Sequence, residues 1–164
     1  MNSYHIRVAG REDESFLREM LYESLYVPEG EEPFGRDILK EPFMKKYVDD
    51  WGRAGDLGYI AVNATGKPIG SITIRHFDEE NKGFGYVSDD IPELGMALLP
   101  ESRRQGLGTA LMKELFRGMK EQGIQKVSLS VAPENTAAMK LYERFGFQEV
   151  GVSGTSITMV ADVI

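Results

Sequence analysis

The residues best suited to chemistry lie between Glu93 and Gly108, where an apolar run leads through Pro100, Arg103 and Arg104 into Gly106-Leu107-Gly108. Periodicity predicts that these glycines open a helix. The first amides of a helix have no internal partner and sit at the positive end of its dipole, so they favour an anion. A pyrophosphate suits that geometry. Glycine at 106 and 108 removes side chains that would hold a phosphate off the main chain, and Arg103 and Arg104 add positive charge. A dinucleotide fingerprint would need a third glycine where Leu111 stands, which disfavours a nicotinamide-dependent oxidoreductase, and the Gly-Lys-Ser/Thr ending of a P-loop is missing.

Downstream, Asn135 begins the run Asn-Thr-Ala-Ala-Met-Lys-Leu-Tyr-Glu-Arg-Phe-Gly-Phe, which places Tyr142 seven residues later. Together with Arg103-Arg104-Gln105-Gly106-Leu107-Gly108, a match to the pattern Q/R-x-x-G-x-G/A, this resembles the GNAT superfamily of acetyl-CoA-dependent N-acetyltransferases. The match is close over residues 93–147, while the chain before about residue 90 carries no motif that aligns residue by residue.

The resemblance implies a set of roles. Main-chain amides from Arg104 through Gln105, Gly106, Leu107 and Gly108 to Thr109 would hold the CoA pyrophosphate. Met96, Ala97 and Leu98 would pair with the pantetheine arm, whose two amides need partners. A strand N–H near Ala97 or Leu98 would polarise the thioester carbonyl. Asn135 would bond the arm while also capping a helix. Tyr142 would be the general acid, since a phenol with a reference pKa of ~10 stays protonated at neutral pH and can protonate a departing thiolate. Some family members carry a glutamate base on the fifth strand, where this chain has Ser130. Glu93 is the substitute candidate, beside direct attack by the neutral fraction of the amine. No cysteine exists to carry a covalent relay.

The elements that must position these residues follow from periodicity. Tyr4 to Val8 reads as a strand, Glu12 to Leu25 as an amphipathic helix, residues 27–35 as an acidic Pro/Gly loop, and Ile38 to Trp51 as a second helix disturbed at Pro42. Strand-like runs 58–63 and 69–77 flank a hairpin signal at 64–67, and a polar connection leads to a third run, 92–99. Residues 106–122 carry the row Leu107, Leu111, Leu115 and Met119, a helix with a broad apolar face. Alternating Val127, Leu129 and Val131, a helix after Asn135 and strands 147–152 and 157–163 complete the order β-α-α-β-β-β-α-β-α-β-β. This predicts an α/β (mixed α+β) fold with helices on both faces of a mixed sheet; the family resemblance implies about seven mostly antiparallel strands and about four helices.

The 164 residues, 41% apolar and 27% charged, predict a single globular domain over 1–164. A net charge of −7 excludes non-specific nucleic-acid binding as a function class and suits a cationic acceptor. Glu29, Glu31 and Glu32 are candidates to attract that cation, against the simpler reading of a solvated face. Two histidines and no cysteines give no basis for a metal site. Residues 1–10 lack an apolar leader and no run approaches the length of a membrane span, so no membrane partner and a cytoplasmic location are expected. The implied function is acetyl transfer from acetyl-CoA to a primary amine, of a small molecule or a peptide N-terminus, by direct transfer in a ternary complex. The alternative is a non-catalytic acyl-CoA-binding regulatory module. Oligomeric state is left open, a homodimer included.

Overall fold

In a computed structural model residues 3–163 are described, so the termini of the expected 1–164 unit, Met1, Asn2 and Ile164, lie outside the described residues. Seven strands, β1 (Tyr4–Val8), β2 (Leu57–Asn63), β3 (Pro68–Arg75), β4 (Glu93–Leu98), β5 (Lys126–Val131), β6 (Gln148–Ser153) and β7 (Ser156–Asp162), form one sheet in the order β1-β2-β3-β4-β5-β7-β6. Every neighbouring pair is antiparallel except β4 and β5. The helices are α1 (Glu14–Glu23), α2 (Pro42–Lys45), α3 (Leu107–Glu121) and α4 (Thr136–Arg144). The expected class, element order and mostly antiparallel sheet are all present.

Strand alternation sorts the core into two layers. Tyr59, Ala61, Ile72, Ile74, Leu94, Val127 and Leu129 turn to one face and pack with Leu107, Leu111, Met112, Leu115 and Met119 of α3. α3 and α4 therefore cover that side, and burial of this apolar stripe is what fixes α3. On the opposite side Leu17 of α1 joins Val48 and Trp51 in a smaller cluster. Asp13 anchors the turn into α1 by accepting from Gly10 N at 2.8 Å and from both terminal nitrogens of Arg7 at 2.8 and 2.9 Å.

The second helix differs from expectation. Instead of one helix over 38–51 there is a 3-10 turn (Arg36–Lys40), the four-residue α2, and turns through Asp50. Pro42 disfavours helical geometry in the residue before it, and Glu41 is extended, with φ −73 and ψ 138. The far end is held from outside. Arg75 of β3 donates to Lys46 O at 2.8 Å and Asp49 O at 2.9 Å, and Asp50 then adopts φ 56. Those carbonyls serve a buried guanidinium rather than the next helical turn.

Candidate active site

The site begins where β4 and β5 part. Their only paired register is Glu93 with Ser128, sealed by Ser128 N donating to Pro92 O at 2.9 Å. Beyond it β5 pairs along its length with β7, and β4 pairs with β3 up to Leu98. Leu99 N donates to Ile69 O at 2.9 Å. Alternation then turns the N–H and C=O of Gly95 and Ala97 toward β3, and those of Met96 and Leu98 toward the gap. Of the expected trio Met96, Ala97 and Leu98, the main chain of Ala97 is thus occupied by β3. Leu98 O accepts from Arg103 Nε at 3.3 Å, which leaves the Met96 groups and the Leu98 N–H to face the opening.

At the end of β4 a 3-10 turn (Pro100–Ser102) leads to Arg103 and the start of α3. Arg104 and Gly106 are both left-handed, with φ 65 and 79. For arginine that conformation costs about 1–2 kcal/mol, a strain that persists where the surroundings demand it. Turns of this kind aim successive amides into a concavity that suits an anion. The first bond of the helix is Ala110 N to Gly106 O at 3.1 Å, and the amides of Arg104, Gly106, Leu107, Gly108 and Thr109 meet no carbonyl among the described residues. These orphan donors fit a diphosphate. The two glycines differ in purpose. Gly106 has open space where a Cβ would be, so its conformation is what requires glycine. A Cβ on Gly108 would lie 3.3 Å from Leu141 Cδ2 and 3.7 Å from Met96 Cε, so its bareness also lets α3 approach α4 and β4.

The side chains around this turn are divided. Arg103 forms an ion pair with Glu23 of α1 at 3.5 Å, whereas exposed Arg104 pairs with no acid among the described residues. Thr109 Oγ1 accepts from Arg144 at 3.0 Å, tying the start of α3 to the end of α4. Gln105 is exposed at the rim.

α4 brings in the next pair. Asn135 caps it, its Oδ1 accepting from Ala138 N at a long 3.4 Å. Tyr142 lies about two helical turns further on, 8% exposed, its ring edge-on to Phe147 at 5.7 Å. Burial pushes its phenol up to about 12, so it is a proton carrier at neutral pH. Its hydroxyl makes no hydrogen bond among the described residues.

Glu93 stands on the other face of the sheet, at the apex of the gap, 6% exposed. Desolvation pushes its carboxyl up to about 7, partly offset by the Tyr47 hydroxyl, the Gly85 amide and Lys46. Tyr47 OH donates to Oε2 at 2.7 Å, while Oε1 is the one buried side-chain polar atom among the described residues without a hydrogen-bond partner. Arg75 is the register neighbour of Glu93, but its guanidinium is committed to Asp56 at 2.7 and 3.0 Å and stacks on Trp51 at 5.3 Å. A carboxyl near neutrality in an enclosed site can take a proton from an amine. Ser130 shares this face, since Val127, Leu129 and Val131 all turn the other way. Tyr142 and Glu93 therefore approach the opening from opposite sides of the sheet.

Sequence reasoning missed Tyr47 and the Gly83-Phe84-Gly85 segment, which it read as part of a helix and as a polar connection. A Cβ on Gly83 would collide with Glu93 Oε1, and one on Gly85 would lie 2.6 Å from Leu129 C and 2.8 Å from Ser130 N. Two glycines flanking an aromatic residue were the available signal of a close main-chain approach. Glu29, Glu31 and Glu32 are exposed and enter no ion pair among the described residues. No group of three or more metal-binding side chains occurs among the described residues, and no helix there is long and apolar enough to cross a membrane.

Comparison with known proteins agrees with this geometry. Residues 16–147 match the family described as acetyltransferase (GNAT). The ribosomal protein bS18-alanine N-acetyltransferase of Escherichia coli K12 is 36% identical over 66 residues, covering 40% of this chain and 45% of that one. An N-alpha-acetyltransferase of Sulfurisphaera tokodaii is 40% identical over 60 residues, 36% of either chain. The matches thus span less than half the length of these curated relatives. Among solved structures, a GNAT-family acetyltransferase from Staphylococcus aureus Mu50 superposes with a TM-score of 0.72 at 17% identity, covering 99% of this chain and 100% of that one. The PaiA N-acetyltransferase of Thermoplasma acidophilum, solved with coenzyme A, gives 0.68 at 20% identity, with 98% and 99% covered. At such identities the likeness is one of fold.

Proposed function

The chain belongs to the acetyltransferase (GNAT) family, and from that premise we propose that it transfers an acetyl group from acetyl-CoA to a primary amine, directly, within a ternary complex. The observation that carries this reading is the juxtaposition of a strand edge left open by the parting of β4 and β5 with a left-handed turn whose Arg104, Gly106, Leu107, Gly108 and Thr109 amides meet no carbonyl among the described residues. The amides from Arg104 to Thr109 hold the diphosphate and the Met96 main chain pairs with the pantetheine arm. Arg104 supplies charge at the rim, and Asn135 bonds the arm.

Glu93 takes a proton from the acceptor ammonium, with its carboxyl balanced near neutrality by burial. The neutral nitrogen attacks the thioester carbonyl, and the Leu98 N–H supports the developing oxyanion. As the carbon–sulfur bond breaks, Tyr142 passes its proton to the thiolate and is later reprotonated from solvent. The attacking nitrogen sheds a second proton to solvent as the tetrahedral intermediate collapses, so overall the ammonium loses two protons, one to Glu93 and one to solvent, and the thiolate gains one from Tyr142. The names of the two curated relatives support a peptide N-terminus as the first acceptor to try, with a small cationic amine second. The cytoplasm is the location proposed for the reaction.

The test is a panel of peptides and small amines with acetyl-CoA, read by product mass and thiol release. Glu93→Gln is expected to lower kcat by about 10²–10⁴-fold with little change in CoA affinity. The regulatory-module alternative draws on Ser130, where some relatives carry a base. It predicts stabilisation by CoA with no acceptor-dependent thiol release on any acceptor.

A further inference from the structure

We infer that Tyr47 is a positioning residue for Glu93, fixing which carboxylate oxygen accepts the proton and holding it ready for the acceptor amine. This rests on the reading of Glu93 as the base.

The case is one of hydrogen-bond accounting. A phenol has a single proton to donate. The oxygen of Tyr47 accepts from Phe84 N at 2.6 Å, so its proton is directed to Glu93 Oε2, 2.7 Å away. Oε2 is thereby occupied, and Oε1, unpartnered, becomes the atom to which a proton adds. The ring cannot drift, because Phe77 meets it edge-on at 5.0 Å and Phe84 stacks on it at 6.2 Å. The same Phe84 thus supplies both the amide that orients the hydroxyl and the ring that clamps it. Gly83 completes the arrangement, since the Cβ of any other residue would collide with Oε1 and stand 2.8 Å from the Tyr47 oxygen.

The Gly85 amide and Lys46 also favour the charged form, but among the described residues it is the Tyr47 hydroxyl whose hydrogen bond engages a carboxylate oxygen. Arg75, its neighbour on β3, is held by Asp56 and two carbonyls. Lys46, beside Tyr47, directs its ammonium to Lys82 O and lies over Phe77. From β5 the nearest side chain in register is Ser128, whose hydroxyl faces Pro92 O at 3.5 Å.

Tyr47→Phe keeps the ring and removes the donor. Because the hydrogen bond favours the charged carboxylate, its loss raises the proton affinity of Glu93. The carboxyl titration should be followed by carbon-13 NMR of the unliganded full chain, the resonance being identified by its absence in Glu93→Gln. In Tyr47→Phe the midpoint should rise by about one pH unit. In kinetics the acidic limb of kcat should rise with it, with about fivefold loss at neutral pH, recovery at higher pH and an unchanged KM for acetyl-CoA. If Tyr47→Phe yields no folded protein, Gly83→Ala provides the second route, since it displaces the carboxylate from Tyr47 and should move the midpoint the same way. An unmoved midpoint in a folded variant overturns the inference, whatever Glu93→Gln does to activity. A moved midpoint with full activity in Glu93→Gln would uphold the positioning and reject the base.

Discussion

On the α3 and α4 side, the central strands present Ile72, Ile74, Leu94 and Leu129 to Leu111, Leu115 and Met119; on the α1 and α2 side, their adjacent residues are Ser71, Arg75, Glu93 and Ser128. The first face is held by apolar area, which tolerates approximate complementarity. The second adds to the smaller apolar cluster of Leu17, Val48 and Trp51 a set of matched donors and acceptors, where one missing partner leaves a buried charge or dipole uncompensated. Within that second face Asp56 and Arg75 are fully partnered, by each other, by the Lys46 and Asp49 carbonyls and by the Gly52 and Arg53 amides, whereas Glu93 keeps an oxygen in reserve. The comparison teaches where stability and reactivity separate: the completed ion pair fixes the frame, and the half-partnered carboxyl is free to exchange a proton.

Breaking the completed pair is the harshest test of this division. Asp56→Asn leaves Arg75 buried without its carboxylate and should cost about 3–5 kcal/mol, read from urea denaturation. On the opposite face Leu111→Ala should cost about 2–5 kcal/mol through transfer and cavity terms, with a lower thermal midpoint and CoA binding retained. Glu93→Gln should act in the reverse direction. Its folded-state pKa is about 7 against an ordinary 4.5, so folding disfavours the charged form. The native state is most favoured below the unfolded pKa and loses that advantage as pH rises toward 7 and above. The neutral glutamine should therefore stabilise the chain by up to about 3 kcal/mol at pH 8 and by almost nothing at pH 4, even as activity falls. A variant that gained equally at both pH values would show that burial of the charge is not the cause.

Tyr142→Phe concerns the apolar side and should lower kcat by about 100-fold while CoA still raises the thermal midpoint. The smallest effect belongs to Asn135→Ser, which can keep the cap and should alter stability by no more than about 0.5 kcal/mol. If Asn135 also bonds the pantetheine arm, the same change weakens CoA binding, and calorimetry separates the two roles.

Much of the apolar face was legible in the sequence because its signals are local and periodic. The row from Leu107 to Met119 announced α3, alternation announced β5, and the glycine turn announced the orphan amides. The order of elements and the mixed sheet followed. The polar face was far less legible. Tyr47 sits in a segment whose helical periodicity is overruled by Pro42 and by Arg75, a residue of a distant strand. Gly83 and Gly85 are glycines because of what lies across from them, Glu93 and the main chain of β5, and no local pattern encodes a neighbour brought in by topology. Glu93 is a candidate by its chemistry and its place at a strand end. Its partner is not.

The grip of Arg75 on Lys46 O and Asp49 O means that the bend after α2 is borrowed from the sheet and not owned by its own residues. A free peptide of residues 36–52 should accordingly lack this shape in circular dichroism. In the intact chain, loosening β3 would disperse the wall beside the gap before the strands themselves come apart.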